Sequence, residues 1–214
     1  MSIVVRTLSE HVFDIVRERI VTGQLGTEAP IRQDALAAQL GVSKIPVREA
    51  LARLEQEGLL TSLANRGYFV KPMSAARRDE IFELRLAIEP AAAARAALRA
   101  TAADHEAARA AFEALDTAAG ENPADVAVRN RQFHTALVRP GERALTTQLV
   151  ERLSILAERY VVAHLQPAGR GTRAHQEHWE MLEAWIAGDA PAVERLLAHH
   201  IQATLDDLRE QPDA

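Results

Sequence analysis

Cysteine is absent from the 214 residues, which removes disulfide scaffolds, thiolate zinc sites and cysteine nucleophiles together. Aromatic residues make up only 4% and β-branched residues are sparse, so an extensive sheet has little to build with. No apolar stretch approaches the ~18 residues that a membrane span needs, and the first residues lack a signal-peptide core. These absences lead to the expectation of a cytoplasmic chain with no membrane partner. What is present is 48% hydrophobic and 26% charged, the composition of a folded protein. Alanine dominates long stretches, and alanine has the best helix propensity. The length admits one large domain or two small ones.

The formal net charge of −5 argues at first against nucleic acid, but it is unevenly spread. Residues 1–72 carry nine Lys/Arg against eight Asp/Glu, while residues 73–214 carry sixteen against twenty-two. The acidity belongs to the second part. A near-neutral first part can still bind DNA if its cations share one face.

Periodicity divides the first part into three helices and a hairpin. Leu8, Val12, Ile15, Val16 and Ile20, with the stem of Arg19, recur at three and four, predicting a helix over 6–22 that ends at Gly23. A second helix spans about 33–40, burying Leu36 and Leu40, and turns at Gly41. Ser43 is placed to cap a third, with Pro46 in its first turn and Val47, Leu51 and Leu54 as its buried stripe. Two short extended runs, 59–63 and 68–71, flank Ala64-Asn65-Arg66-Gly67 as a hairpin, and Pro72 marks a boundary. Beyond it everything reads as helix: 75–98, 103–119, 123–138, 143–165, 173–187 and 190–209, with Pro90 expected to kink the first. Between them lie turns at Gly120-Glu121-Asn122-Pro123, Arg139-Pro140-Gly141, 167–171 and 188–191. The fold class is all-α with a small β-hairpin wing. Residues 1–72 form a winged helix-turn-helix, and residues 73–214 an antiparallel helical bundle.

Helix, glycine turn, helix and hairpin is a pattern that reads DNA. The third helix presents Ser43, Lys44, Ile45 and Arg48 near its N-terminus. Arg48 can grip guanine or phosphate with two donors, whereas Lys44 is a point charge. Arg66 and Gly67 at the wing tip suit the backbone or the minor groove, and Arg32 is a further phosphate contact. A three-helix scaffold with solvated cations would show the same spacing.

In the second part three histidines fall on three buried stripes. His134 lies with Val126, Asn130, Phe133 and Leu137; His178 continues Met181, Leu182, Trp185 and Ile186; His200 lies with Val193, Leu196, Leu197, Ile201, Thr204, Leu205 and Leu208. His199 is rotated by about 100° from that stripe. One inward histidine is an ordinary core residue; three from separate helices can hold a transition metal, with Asn130 offering an oxygen one turn from His134. Core histidines with backbone partners remain the competing reading. Arg85 shares the stripe Ile81, Leu84, Ile88, Ala92. A buried guanidinium needs an anion, either Glu89 one turn on or the carboxylate of an effector.

The run Leu40-Gly41-Val42-Ser43-Lys44-Ile45-Pro46-Val47-Arg48-Glu49-Ala50-Leu51, with Leu54, Glu57-Gly58-Leu59 and Gly67-Tyr68-Phe69-Val70, resembles the DNA-binding domain of GntR-family transcription regulators. That resemblance implies DNA contacts from Lys44, Arg48 and the wing around Gly67, with Arg32 beside them. Arginine is commoner in the family where Lys44 stands, and Leu25-Gly26-Thr27-Glu28-Ala29-Pro30 departs from its usual loop. Glu83-Leu84-Arg85 with Glu89, Asn130-x-x-Phe133-His134, Glu177-His178 and Gly188-Asp189 followed by His199-His200-Ile201 resemble the FCD effector domain of the FadR-like branch. The resemblance implies a divalent metal, most often zinc, with nickel or another transition metal open, held by Asn130, His134, His178 and His200. It also implies a small organic acid bound beside the metal. Many members have aspartate where Asn130 stands, and a neutral amide is the weaker ligand. The 139–142 stretch also diverges.

The expected protein is a metabolite-responsive regulator that binds a palindromic operator as a homodimer, with Arg85 contacting the effector, and is not an enzyme. Two other uses of the histidines stay open: metal-dependent hydrolysis, and a metal that is structural or itself the signal.

Overall fold

The computed structural model describes residues 7–118, 123–165 and 169–210. The chain divides into two compact units, Met1–Pro72 and Met73–Ala214.

The first unit contains α1 (Leu8–Val21), α2 (Gln33–Leu40), α3 (Lys44–Gln56), β1 (Leu60–Leu63) and β2 (Gly67–Val70). Thr7 and Glu10 form a reciprocal capping box that starts α1. The expected start at Arg6 lies outside the described residues. The buried face of α1 is Val12, Phe13, Val16, Arg17 and Ile20, whereas Leu8 is exposed. The stripe is therefore turned toward Phe13, whose ring also carries the Arg53 guanidinium at 4.1 Å. Val47, Leu51 and Leu54 of α3 complete the core with Leu59, Leu60 and Val70. Gly41 ends α2 in the left-handed region at φ 65°, a conformation open to glycine without a Cβ penalty. The strands pair antiparallel from Leu60↔Val70 to Leu63↔Gly67. The Ile31 amide donates to the Tyr68 carbonyl at 2.7 Å, fastening the segment before α2 to the hairpin.

The second unit contains α4 (Ala75–Ala97), α5 (Ala102–Ala118), α6 (Pro123–Val138), a short 3₁₀ turn (Arg139–Gly141), α7 (Ala144–Leu165), α8 (Arg170–Ile186) and α9 (Ala190–Arg209). The turn expected at 120–122, Ala119 and the Pro167-Ala168 part of the next loop lie outside the described residues. Phe82, Phe133, Leu137, Met181, Trp185, Leu197 and Ile201 form the core. The Trp185 indole N–H donates to the Leu137 carbonyl at 2.9 Å, tying α8 to the end of α6.

Pro90 lies buried inside α4, which runs through it to Ala97. Two expectations are corrected. The buried face of α4 runs through Ile81, Phe82, Arg85, Glu89, Ala93 and Ala96, while Leu84 is 44% exposed. Finally, α8 begins at Arg170, not at residue 173. Gly169 takes a left-handed conformation at φ 85°, and Arg170 donates to the carbonyls of His164 and Asp207, both at 3.4 Å. Those tertiary bonds hold in helix a Gly-Arg-Gly sequence that by itself favours a loop.

Candidate functional site

The first unit carries exposed cations before α2, on α3 and at the hairpin tip. Ser43 stands at the N-cap of α3, but its side chain makes no capping bond, which leaves the hydroxyl for another partner. Lys44 and Arg48 are exposed on α3. Lys44 pairs with Asp34 of α2 at 2.8 Å, both side chains being well solvated, so the contact is weak and replaceable. Arg32 is exposed at the N-cap position of α2, again without a side-chain cap. Arg66 is exposed at the hairpin tip with its guanidinium 5.5 Å from the Phe69 ring centre. Gly67 has φ 95°, and a Cβ there would lie 3.3 Å from the Ile31 carbonyl. Glycine therefore lets the wing close onto the Ile31 segment. The arrangement offers cations, a free hydroxyl and a close-approaching backbone, the groups that position a protein on phosphates and reach base edges.

In the second unit the structure brings His134, His178 and His200 together from α6, α8 and α9. One ring nitrogen from each lies within 4.8 Å of the others. All three are buried. The Nε2 atoms of His178 and His200 are 3.2 Å apart. Two Zn–N bonds of ~2.05 Å at a tetrahedral angle put their nitrogens about 3.3 Å apart, so this pair is spaced as two ligands of one ion. His134 is 1% exposed, and neither of its ring nitrogens has a hydrogen-bond partner. Leaving a buried polar atom unpaired costs about 1–3 kcal/mol, so these nitrogens are the atoms of the cluster that a bound metal could satisfy. The donor set suits a borderline metal such as zinc.

Behind these histidines stand two carboxylates. Glu177 Oε2 accepts from His200 Nδ1 at 2.6 Å, which fixes Nδ1 as the protonated nitrogen and leaves the Nε2 lone pair facing His178. Glu89 Oε2 is 3.6 Å from His134 Nδ1, beyond hydrogen-bond distance but facing that ring. Glu89 also takes two bonds from Arg85, at 2.7 Å from Nε and 3.1 Å from Nη2. Arg85 is 3% exposed and stacks 5.3 Å from the Phe82 ring centre. Burial opposes ionisation of Glu89, yet the Arg85 charge and the His134 side chain hold its pKa down to about 2. Burial pushes His134 down to about 4 against the pull of Glu89. His178 is pushed well below its usual value by burial and by the neighbouring His200 and His134. Both rings are thus neutral near pH 7, the state in which imidazole binds a metal. Asn130, one turn before His134 on α6, is half-buried.

Comparison with known proteins decides the family. Residues 8–70 match the description "Bacterial regulatory proteins, gntR family", and residues 80–203 match the FCD domain, more than half of the chain. The chain belongs to the GntR family and carries an FCD domain. A relative from Paenarthrobacter nicotinovorans, the "Probable D-xylose utilization operon transcriptional repressor", is 32% identical over 205 residues, covering 93% of this chain and 88% of its own. The uncharacterized HTH-type transcriptional regulator BphR of Paraburkholderia xenovorans (strain LB400) is 29% identical, covering 96% and 87%. The solved structure of E. coli McbR/YncC shares the fold with a TM-score of 0.78 at 23% identity, over 97% of this chain and 99% of that one. The family and these relatives are transcriptional regulators, not enzymes, which sets aside the hydrolase reading of the histidines. Among the described residues no helix is long and apolar enough to cross a membrane.

In this FCD domain two functions of acidic residues escape the sequence. Glu177 is visible only as a neighbour of His178, yet it serves His200 on the next helix. Glu89 reads as the partner of Arg85 at i,i+4, while its approach to His134 depends on how α4 and α6 pack. Carboxylates at helical spacing from arginines are the available signal, and they do not name the histidine each will face.

Proposed function

We propose that this GntR regulator is controlled by a small organic acid that binds a divalent metal, zinc by preference, in its FCD domain. The observation that carries the reading is the buried histidine triad with its unpaired His134 nitrogens. His134, His178 and His200 would hold the metal, with Asn130 as the oxygen donor on the same face of α6. The bound metal supplies a Lewis-acidic position for an acid's carboxylate. Arg85 sits beside it, already shaped to a carboxylate by its two bonds to Glu89, and would engage the effector as that pair rearranges. Three imidazoles and an amide would bring no negative charge into direct contact with the ion, which leaves that role to an anionic ligand.

In the first unit, Lys44 and Arg48 of α3, with Ser43 at its N-cap, enter the major groove, Arg66 and Gly67 reach the backbone or the minor groove, and Arg32 contacts phosphate. Acting as a homodimer, the protein would place two such helices on a palindromic operator with half-sites one helical turn apart. The D-xylose operon named for the Paenarthrobacter relative supports a metabolic operon as the target. The acid shifts DNA affinity only by its difference in affinity for the DNA-competent and incompetent states.

The test is an operator selected from random duplex DNA, titrated with zinc-loaded protein in the presence of acetate, lactate, succinate and benzoate. Expected is a change of at least fivefold in operator affinity with one of them, absent in His134→Ala. No response to any of the four, with zinc or without, would contradict the reading.

A further inference from the structure

The outward face of α3 carries one side chain that electrostatics does not explain. Pro46, Val47, Ala50, Leu51 and Leu54 turn into the core. Ile45, Arg48 and Glu49 stand at i, i+3 and i+4 and are all exposed, so they form one continuous face. Ile45 is 59% exposed. A β-branched residue in the first turn costs helix propensity and gains nothing from burial here. Its side chain has neither donor nor acceptor, so that side chain cannot hydrogen-bond a phosphate.

We propose that Ile45 reads the 5-methyl group of a thymine in the major groove, one or two base pairs from the guanine gripped by Arg48. The proposal rests on α3 being the recognition helix. Among the four base pairs, that methyl is the apolar feature presented in the major groove; the other edge groups are donors and acceptors. Restricted χ1 freedom holds the Ile45 methyls in place before contact. Ile45 precedes Arg48 by three residues, a rise of about 4.5 Å along the helix, against 3.4 Å between successive bases. The two side chains therefore address neighbouring base pairs. Lys44, engaged with Asp34 at 2.8 Å, lies one residue before and serves the phosphates.

Selection from a random duplex pool with the full-length chain supplies the site, and Arg48→Ala identifies the guanine whose identity no longer matters. Each thymine is then replaced by deoxyuridine, which keeps every hydrogen-bonding group and removes only the methyl. One thymine within two base pairs of that guanine should lose about fourfold in affinity on replacement, the effect of one buried methyl. Replacement in both half-sites should lose about an order of magnitude. Ile45→Ala, an exposed change that leaves the core untouched, should bind the thymine and uracil sites equally. Equal binding of all uracil sites by the wild type overturns the proposal. So does retained discrimination in Ile45→Ala, or a selected half-site with no thymine within two base pairs of the guanine. A pool in which no sequence is enriched overturns the DNA reading of α3, and this proposal with it.

Discussion

Replacing Glu177 by glutamine tests whether the histidine cluster is a metal site rather than a polar patch in the core. Glu177 Oε2 accepts from His200 Nδ1 at 2.6 Å, and Oε1 is 3.4 Å from Arg173 Nε. Burial works against its ionisation, but the His200 contact and the Arg173 charge keep its pKa below the usual value. The carboxylate is thus charged and aligned on the far side of the ring from His178. In Glu177→Gln the volume and one acceptor persist while the charge goes. A hydrogen bond to a charged group is worth about 1.5–3 kcal/mol against about 0.5–1.5 for a neutral one, a difference of about 1–1.5 kcal/mol, roughly five- to tenfold. Outer partners of metal-bound histidines are worth about 10–100-fold in affinity, so Glu177→Ala should fall toward the upper end. Competition with a chromophoric zinc chelator measures this. Glu180→Gln, which changes an exposed residue bonded to Gln176 at 2.8 Å, is the control and should bind zinc as the wild type does. Equal zinc affinity in wild type, Glu177→Gln and Glu177→Ala would refute the assignment of His200 as a ligand.

In the first unit, Arg48→Ala should weaken operator binding at least tenfold at fixed salt in a fluorescence anisotropy titration; unchanged affinity would remove α3 from the proposed interface. A pH effect follows from His164, which is 3% exposed and pushed down to about 4 by burial, against the pull of Asp207. Between pH 6.5 and 4 the unfolded chain holds a proton on this ring and the folded chain does not, so its contribution is complete above pH 6.5 and is lost as pH falls. The loss is at most about 3 kcal/mol. Urea unfolding across this window should be less steeply pH-dependent in His164→Asn than in the wild type, and identical slopes would contradict it.

Much of this architecture is legible because its signals are local. Gly41, Ser43 and Pro46 punctuate the turn and the start of α3 within six residues, and their conformations follow from their own chemistry. The inward positions of His134, His178 and His200 follow from helical period, since Phe133, Met181 and Ile201 fix each buried face. Alanine-rich α4 is less readable: with so many small residues the periodic contrast is weak, and the stripe expected through Ile81, Leu84 and Arg85 keeps Ile81 and Arg85 but passes through Phe82 in place of Leu84. The start of α8 depends on carbonyls of His164 and Asp207, far from it in the chain or across a turn. The Glu177–His200 and Glu89–His134 approaches are set by the rotation of packed helices, and no spacing within one helix encodes them.

The most direct measurement is metal content per protomer by elemental analysis, on wild type and His134→Ala purified without an affinity tag. The account predicts about one equivalent of zinc or another transition metal in the wild type and loss of it in the variant. A wild type that holds no metal after incubation with zinc and desalting would contradict it.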